Sequence, residues 1–169
     1  MKKIITMTAA GALILAAVPA FGQETKPLGL SARVGVFLPT DNGVKDVSNS
    51  WFGAGVDFKL AKFEGTSKDQ SNALSVSLDY AGRENIRTVP LILNYIIRQG
   101  QAYVFAGAGL TFGRLPDGAS TSSQTFFGYD AGVGYDIATG STPIFVEAKF
   151  MGAGNSTLNG FGFFVGARF

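Results

Sequence analysis

The feature that most constrains this chain is a two-residue alternation that recurs eight times. "NGFGFFVGARF", residues 159–169, shows it most plainly. Phe161, Phe163, Val165, Ala167 and Phe169 fall on one face, and Gly160, Gly162, Phe164, Gly166 and Arg168 on the other. Successive side chains of a β-strand point to opposite faces, so this period marks a strand with one apolar side. Here the pattern runs through Phe169, where termini more often carry frayed polar residues.

Seven earlier segments repeat the unit, each roughly ten residues long before a polar break. Leu28, Leu30, Ala32, Val34, Val36 and Leu38 align in the first, and Phe52, Ala54, Val56, Phe58 and Leu60 in the second. Leu74, Val76, Leu78 and Tyr80 follow, then Val89, Leu91, Leu93, Tyr95 and Ile97 in a segment where Pro90 removes a ladder donor. The fifth aligns Ala102, Val104, Ala106, Ala108, Leu110 and Phe112, with Tyr103 and Phe105 competing for the apolar face. Phe127, Tyr129, Ala131, Val133, Tyr135 and Ile137 form the sixth, and Ile144, Val146, Ala148 and Phe150 the seventh. Breaks at 39–49, 83–86, 114–124 and 152–158 would gather at one end of an up-and-down arrangement, and those at 61–71, 98–101 and 138–142 at the other. No segment has a convincing helical period, so the expected class is all-β, an eight-stranded antiparallel barrel.

A soluble barrel keeps its apolar face inside, whereas a membrane barrel turns it to lipid. The apolar faces carry no charge; the opposite faces hold Arg33, Asp57, Lys59, Asp79, Asp130, Asp136, Glu147, Lys149 and Arg168. Many of the 23 glycines share that charged face, among them Gly53, Gly55, Gly107, Gly128, Gly132, Gly134, Gly162 and Gly166. Small residues suit the crowded concave wall of a narrow barrel, where large neighbours must fit. On a wall facing water they would only weaken the strands. With strands run alternately up and down, Phe52, Tyr80, Phe112, Phe127, Phe150 and Phe161 collect near one rim. Phe58, Tyr95, Tyr135 and Phe169 collect near the other. Two aromatic rims around an aliphatic waist describe interfacial girdles, and roughly ten tilted residues per strand span a bilayer. The expectation is a transmembrane barrel with a polar lumen.

The N-terminus reads as a cleaved export signal, residues 1–22. Lys2 and Lys3 open it, an uncharged stretch follows, and Ala20 and Gly22 put small residues at −3 and −1 of the cut. A retained helix is the alternative, since Ile4 to Gly22 is uncharged; Pro19 and the short apolar heart favour cleavage. Residues 23–27 form a short lead and 28–169 the barrel. The signal carries two lysines and no acid, so its removal leaves Lys+Arg equal to the 12 Asp+Glu. That balance, with no basic patch, argues against a nucleic-acid partner.

The signal, the eight alternating segments and the terminal Phe together resemble the small bacterial outer-membrane β-barrel family, including the transmembrane domain of outer membrane protein A. "VPLILNY" and "YVFAGAGLTFG" are similar to that family's middle strands. The resemblance covers residues 28–169 and implies a bacterial outer-membrane location. It also implies that Phe161, Phe163, Val165 and Phe169 form a C-terminal assembly signal, with Ala167 departing from the aromatic frequent there. Expected partners are outer-membrane lipids, the barrel-assembly machinery and periplasmic chaperones, with the barrel a monomer. The family's periplasmic wall-binding domain is not expected here.

Buried charges are tolerated only when paired, so the nine inward charges, with Arg98 at the rim, are expected to form an ionic network filling the lumen. The chain has no histidine and no cysteine, which removes the commonest base and metal ligand and any disulfide. No enzyme activity, cofactor or metal is expected. Asp130 with Asp136, or Glu147, could form a carboxylate pair, but network pairing explains their spacing as well. The alternative role is binding or transport of small apolar molecules, with Phe37, Trp51, Phe105, Phe126, Phe145 and Phe164 facing inward.

Overall fold

The structure, a computed structural model, describes residues 29–45, 48–67, 69–117 and 120–169. The expected signal, the lead and Leu28 lie outside the described residues. Eight antiparallel strands follow in chain order: β1 (Leu30–Pro39), β2 (Trp51–Glu64), β3 (Gln70–Arg83), β4 (Ile86–Gln99), β5 (Ala102–Asp117), β6 (Ser120–Ala138), β7 (Ile144–Ala153) and β8 (Gly160–Arg168). A one-turn helix α1 (Asn42–Lys45) joins β1 to β2, and a 3₁₀ turn (Ser156–Leu158) joins β7 to β8.

Each strand pairs with its sequence neighbours, and β8 closes on β1 from Ser31–Arg168 to Pro39–Gly160. No described strand is left as an edge, which is how a sheet satisfies its backbone groups without water. The closure is staggered. Pro39 pairs Gly160, whose successive partners Met151, Asp130, Gly107, Asn94, Ser75 and Lys59 return to β1 at Gly29, ten residues from the start. Such a stagger tilts strands by roughly 35–45° and leaves a bore that side chains can fill.

The alternation predicts the faces well. Val34, Val56, Leu78, Leu93, Val104, Val133, Val146 and Val165 all point outward, while Arg33, Asp79, Asn94 and Lys149 point into the bore. Phe127, Tyr129, Phe150 and Phe161 touch ring to ring around β6, β7 and β8. Phe52, Tyr80 and Phe112 stand exposed on β2, β3 and β5 at the same end, and Phe58, Tyr95 and Tyr135 stand exposed near the opposite end. Tyr103 and Phe105, which compete in the sequence for the outer face, are both buried inside.

The strands run past their expected ends. Residues 61–71 form mostly ladder, with a bulge between Lys59 and Ala61 and the strands continuing to Glu64 and from Ser71. Residues 114–124, expected as a loop, extend the β5–β6 hairpin to Asp117–Ser120. Pro90 interrupts the β3–β4 ladder between Leu78–Leu91 and Ala81–Thr88, and the register resumes unshifted. At the β3–β4 turn Glu84 adopts φ 53°, a left-handed value that a tight hairpin requires.

Candidate functional site: the barrel lumen

The bore is built in three zones. At the end carrying α1, called the upper end, Phe37 and Trp51 pack as tilted rings with centroids 5.2 Å apart. Val44 from α1 is buried in the same apolar cluster with Ala81, Ile86, Met151 and Phe164. Asp41 holds α1 in place by accepting from the Val44 amide through its side chain, 3.2 Å. Leu158, from the 3₁₀ turn, is also buried, against Gly113. Phe126 is only half-buried.

Below this apolar zone lies an ionic cluster. Arg33, 2% exposed, forks between Asp57 and Asp79, donating from Nη2 to Asp79 Oδ1 at 2.7 Å and from Nε to the same oxygen at 3.0 Å. Glu147 stands 3.6 Å from the Arg33 Nε. Lys149, equally buried, donates to Asp79 Oδ2 at 2.5 Å and lies 3.5 Å from Asp130. Tyr103 donates its hydroxyl to Glu147 Oε2 at 3.0 Å. Two bases thus meet four acids, with Ser31 donating to Asp57 and Asn94 to the Ser77 hydroxyl.

Glycines make the cluster geometrically feasible. Arg33 and Asp79 sit on β1 and β3, with Gly55 of β2 paired to both. A Cβ on Gly55 would fall on the Asp79 carboxylate and 3.0 Å from the Arg33 Nε. Lys149 is flanked in the same way by Gly132 and Gly162, and Glu147 faces Gly134. The missing side chains are the space through which charges on alternate strands meet.

The lower zone reverses the balance. Asp136 pairs with Arg98 at 2.5 Å and with Arg168. Both guanidiniums lie over the Tyr103 ring, 4.6 and 4.9 Å from its centroid, and Arg168 also covers Phe145 at 4.3 Å. Lys59, expected within the network, stands exposed at the lower rim beside the bulge and joins no ion pair among the described residues. Sequence reading named Arg98 at the rim but missed Tyr103 as the Glu147 partner. It also missed Val44 and Leu158, because loop residues carry no strand period.

Asp130 and Asp136 belong to different clusters, so they form no carboxylate pair. No group of three or more metal-ligating acids occurs among the described residues. No protein-family model and no curated protein sequence matches the chain. Among solved structures it is similar to the outer membrane protein Ail of Yersinia pestis in a phospholipid nanodisc, at 13% identity over 83% of this chain and 98% of that one, TM-score 0.48. It is also similar to the N-terminal β-barrel domain of Pseudomonas aeruginosa OprF, at 14% identity over 85% of this chain and 100% of that one, TM-score 0.46. The strand order and closure of the chain itself make it an eight-stranded antiparallel up-and-down β-barrel, the class expected from the sequence.

Proposed function

We propose that the protein is a β-barrel of the bacterial outer membrane, exported by residues 1–22, whose role is structural: it spans and reinforces the membrane without conducting. The observation that carries this reading is the filled bore. Apolar rings occupy its upper end, paired charges its middle, and stacked cations its lower end. The membrane setting is supported by the outward shell, where Leu, Val, Ile and aromatic side chains stand exposed with no charge among them at mid-strand. In water such a surface would far exceed the apolar patches that monomers tolerate.

On this reading the charged lumen is a plug, held by pairing. The upper end faces the cell exterior, and Phe161, Phe163 and Val165 of β8, with Phe169 just after it, present the assembly machinery with its signal. Periplasmic chaperones would hold the unfolded chain, outer-membrane lipids surround the folded one, and it acts as a monomer. We assign it no cofactor and no catalytic step. An apolar-ligand role would need open space beside Phe37 and Trp51, and those rings pack on each other instead.

The test is planar-bilayer conductance of the refolded protein, beside its gel mobility with and without heating. A heat-dependent mobility shift without steady current supports the plugged barrel. A reproducible current overturns the structural role and brings transport forward. Absence of a mobility shift overturns the membrane barrel itself.

A further inference from the structure

Just beyond the upper aromatic rim, Arg87 of β4 and Arg114 of β5 are direct cross-strand partners. They lie one pleat beyond the Val89–Phe112 pair, and both follow its outward face. Like charges placed directly opposite destabilise a ladder. Neither arginine forms an ion pair with an acid among the described residues, and Glu84 in the adjacent turn is engaged with neither. The Arg114 fork is fixed, since Nε and Nη2 donate to Thr121 Oγ1 at 2.9 and 2.6 Å, which leaves Nη1 to point elsewhere. Arg87 is exposed. Tyr80 reaches over Gly82 toward it: a Cβ on Gly82 would lie 2.7 Å from the Tyr80 hydroxyl and 3.0 Å from Arg87 Cβ. Ser123 is the partner of Arg114 on the other side.

We propose that Arg87 and Arg114, with Tyr80 and Ser123 at their flanks, bind the phosphate of an anionic lipid headgroup in the leaflet around the upper end. The inference rests on the membrane reading above. Two residues along a strand tilted near 40° rise roughly 5 Å, which carries the pair from the aromatic rim into the headgroup layer. The free fork of Arg87 matches phosphate oxygens two at a time, Arg114 adds a donor from Nη1, and an anion between the two arginines turns their repulsion into a shared attraction. The outward direction of both side chains puts the site on the lipid perimeter, beside Phe112 and Tyr80, which would contact the same lipid's acyl region.

The experiment refolds the protein into phosphatidylcholine bilayers and measures the association of spin-labelled phosphatidic acid relative to spin-labelled phosphatidylcholine. Each arginine near a charged surface contributes a roughly fivefold preference, so the parent should favour phosphatidic acid strongly and R87Q/R114Q should lose most of that preference. Lys45→Gln, which removes a charge from α1, should keep it. A double variant with parental selectivity, or a Lys45→Gln variant that loses as much, overturns the site. Failure of the parent to insert in phosphatidylcholine, seen as no heat-dependent gel shift, overturns the membrane reading instead.

Discussion

Lys149 and Asp130 sit 3.5 Å apart, yet their removal should have opposite consequences. Lys149 is one of two bases holding four acids, so Lys149→Met strands Asp130, leaves Asp79 with Arg33 alone in a buried site, and should cost about 3–5 kcal/mol. Asp130 belongs to the acid surplus, and neither carboxylate oxygen has a hydrogen-bond donor among the described residues. The Asn94 carbonyl oxygen reaches over Gly107, its cross-strand neighbour and that of Asp130, and the Thr111 hydroxyl reaches over Gly128 toward the same place; both lack partners. Asp130→Asn supplies an amide donor there and removes a surplus charge, so it should be neutral or stabilising by about 1 kcal/mol. Urea midpoints of the refolded variants decide this. Equal destabilisation by both changes would mean that Asp130 is a needed counter-ion. The sequence told which residues face inward, through their shared parity with the glycines. It did not tell which acid meets which base, because register is a relation between strands. Only the placement of Gly55 between Arg33 and Asp79 reveals why those two pair.

Strands of this barrel carry alternation only where their two faces meet different surroundings. From Leu30 to Leu38 or from Phe161 to Phe169 one face turns outward, to lipid on the proposed membrane reading, and the other to the lumen, and the sequence records both. On the membrane reading the ladder continues past the bilayer through Lys62–Ala73 and Leu115–Ser122, where no lipid meets the outer face and the alternation fades. That is why two hairpin extensions read as loops, and why the Lys59–Ala61 bulge left no trace. Depth along a strand should therefore set the cost of a misplaced charge. Val165 is mid-strand on β8, paired with Val34 and Val146 and pointing outward. Val165→Arg should cost about 2–4 kcal/mol in a bilayer, whereas Leu38→Arg near the upper rim should cost about 0–1 kcal/mol. Reversible unfolding in lipid vesicles measures both. If the two cost the same, the outer shell is not graded by a membrane.

Closure with a ten-residue stagger gives the molecule one bore and places two different seals along it in series. The upper seal is apolar and rests on the Phe37–Trp51 pair and on Val44, held by a single turn of helix. The middle seal is ionic and rests on Asp79, which joins Arg33 to Lys149 and so ties β1, β3 and β7 across the lumen. Resistances in series mean that either seal alone suffices. Val44→Ala with Trp51→Ala removes most of the upper seal and should leave planar bilayers silent, because the charges below still span the bore. Asp79→Ala with Lys149→Ala should also be silent, because the mouth stays shut. All four changes together breach both seals, leave the Arg98–Arg168–Asp136 zone across the bore, and should produce a steady current in protein that retains its heat-dependent gel shift. The lower zone then sets the sign of what passes. Arg98 and Arg168 outnumber Asp136, and Lys59 adds a cation at the rim, so anions should carry more of the current than cations. A reversal potential under a salt gradient reads that preference. Current from either pair alone would show that one seal does the whole work, and cation selectivity would show that the surplus acids of the middle cluster outweigh the rim.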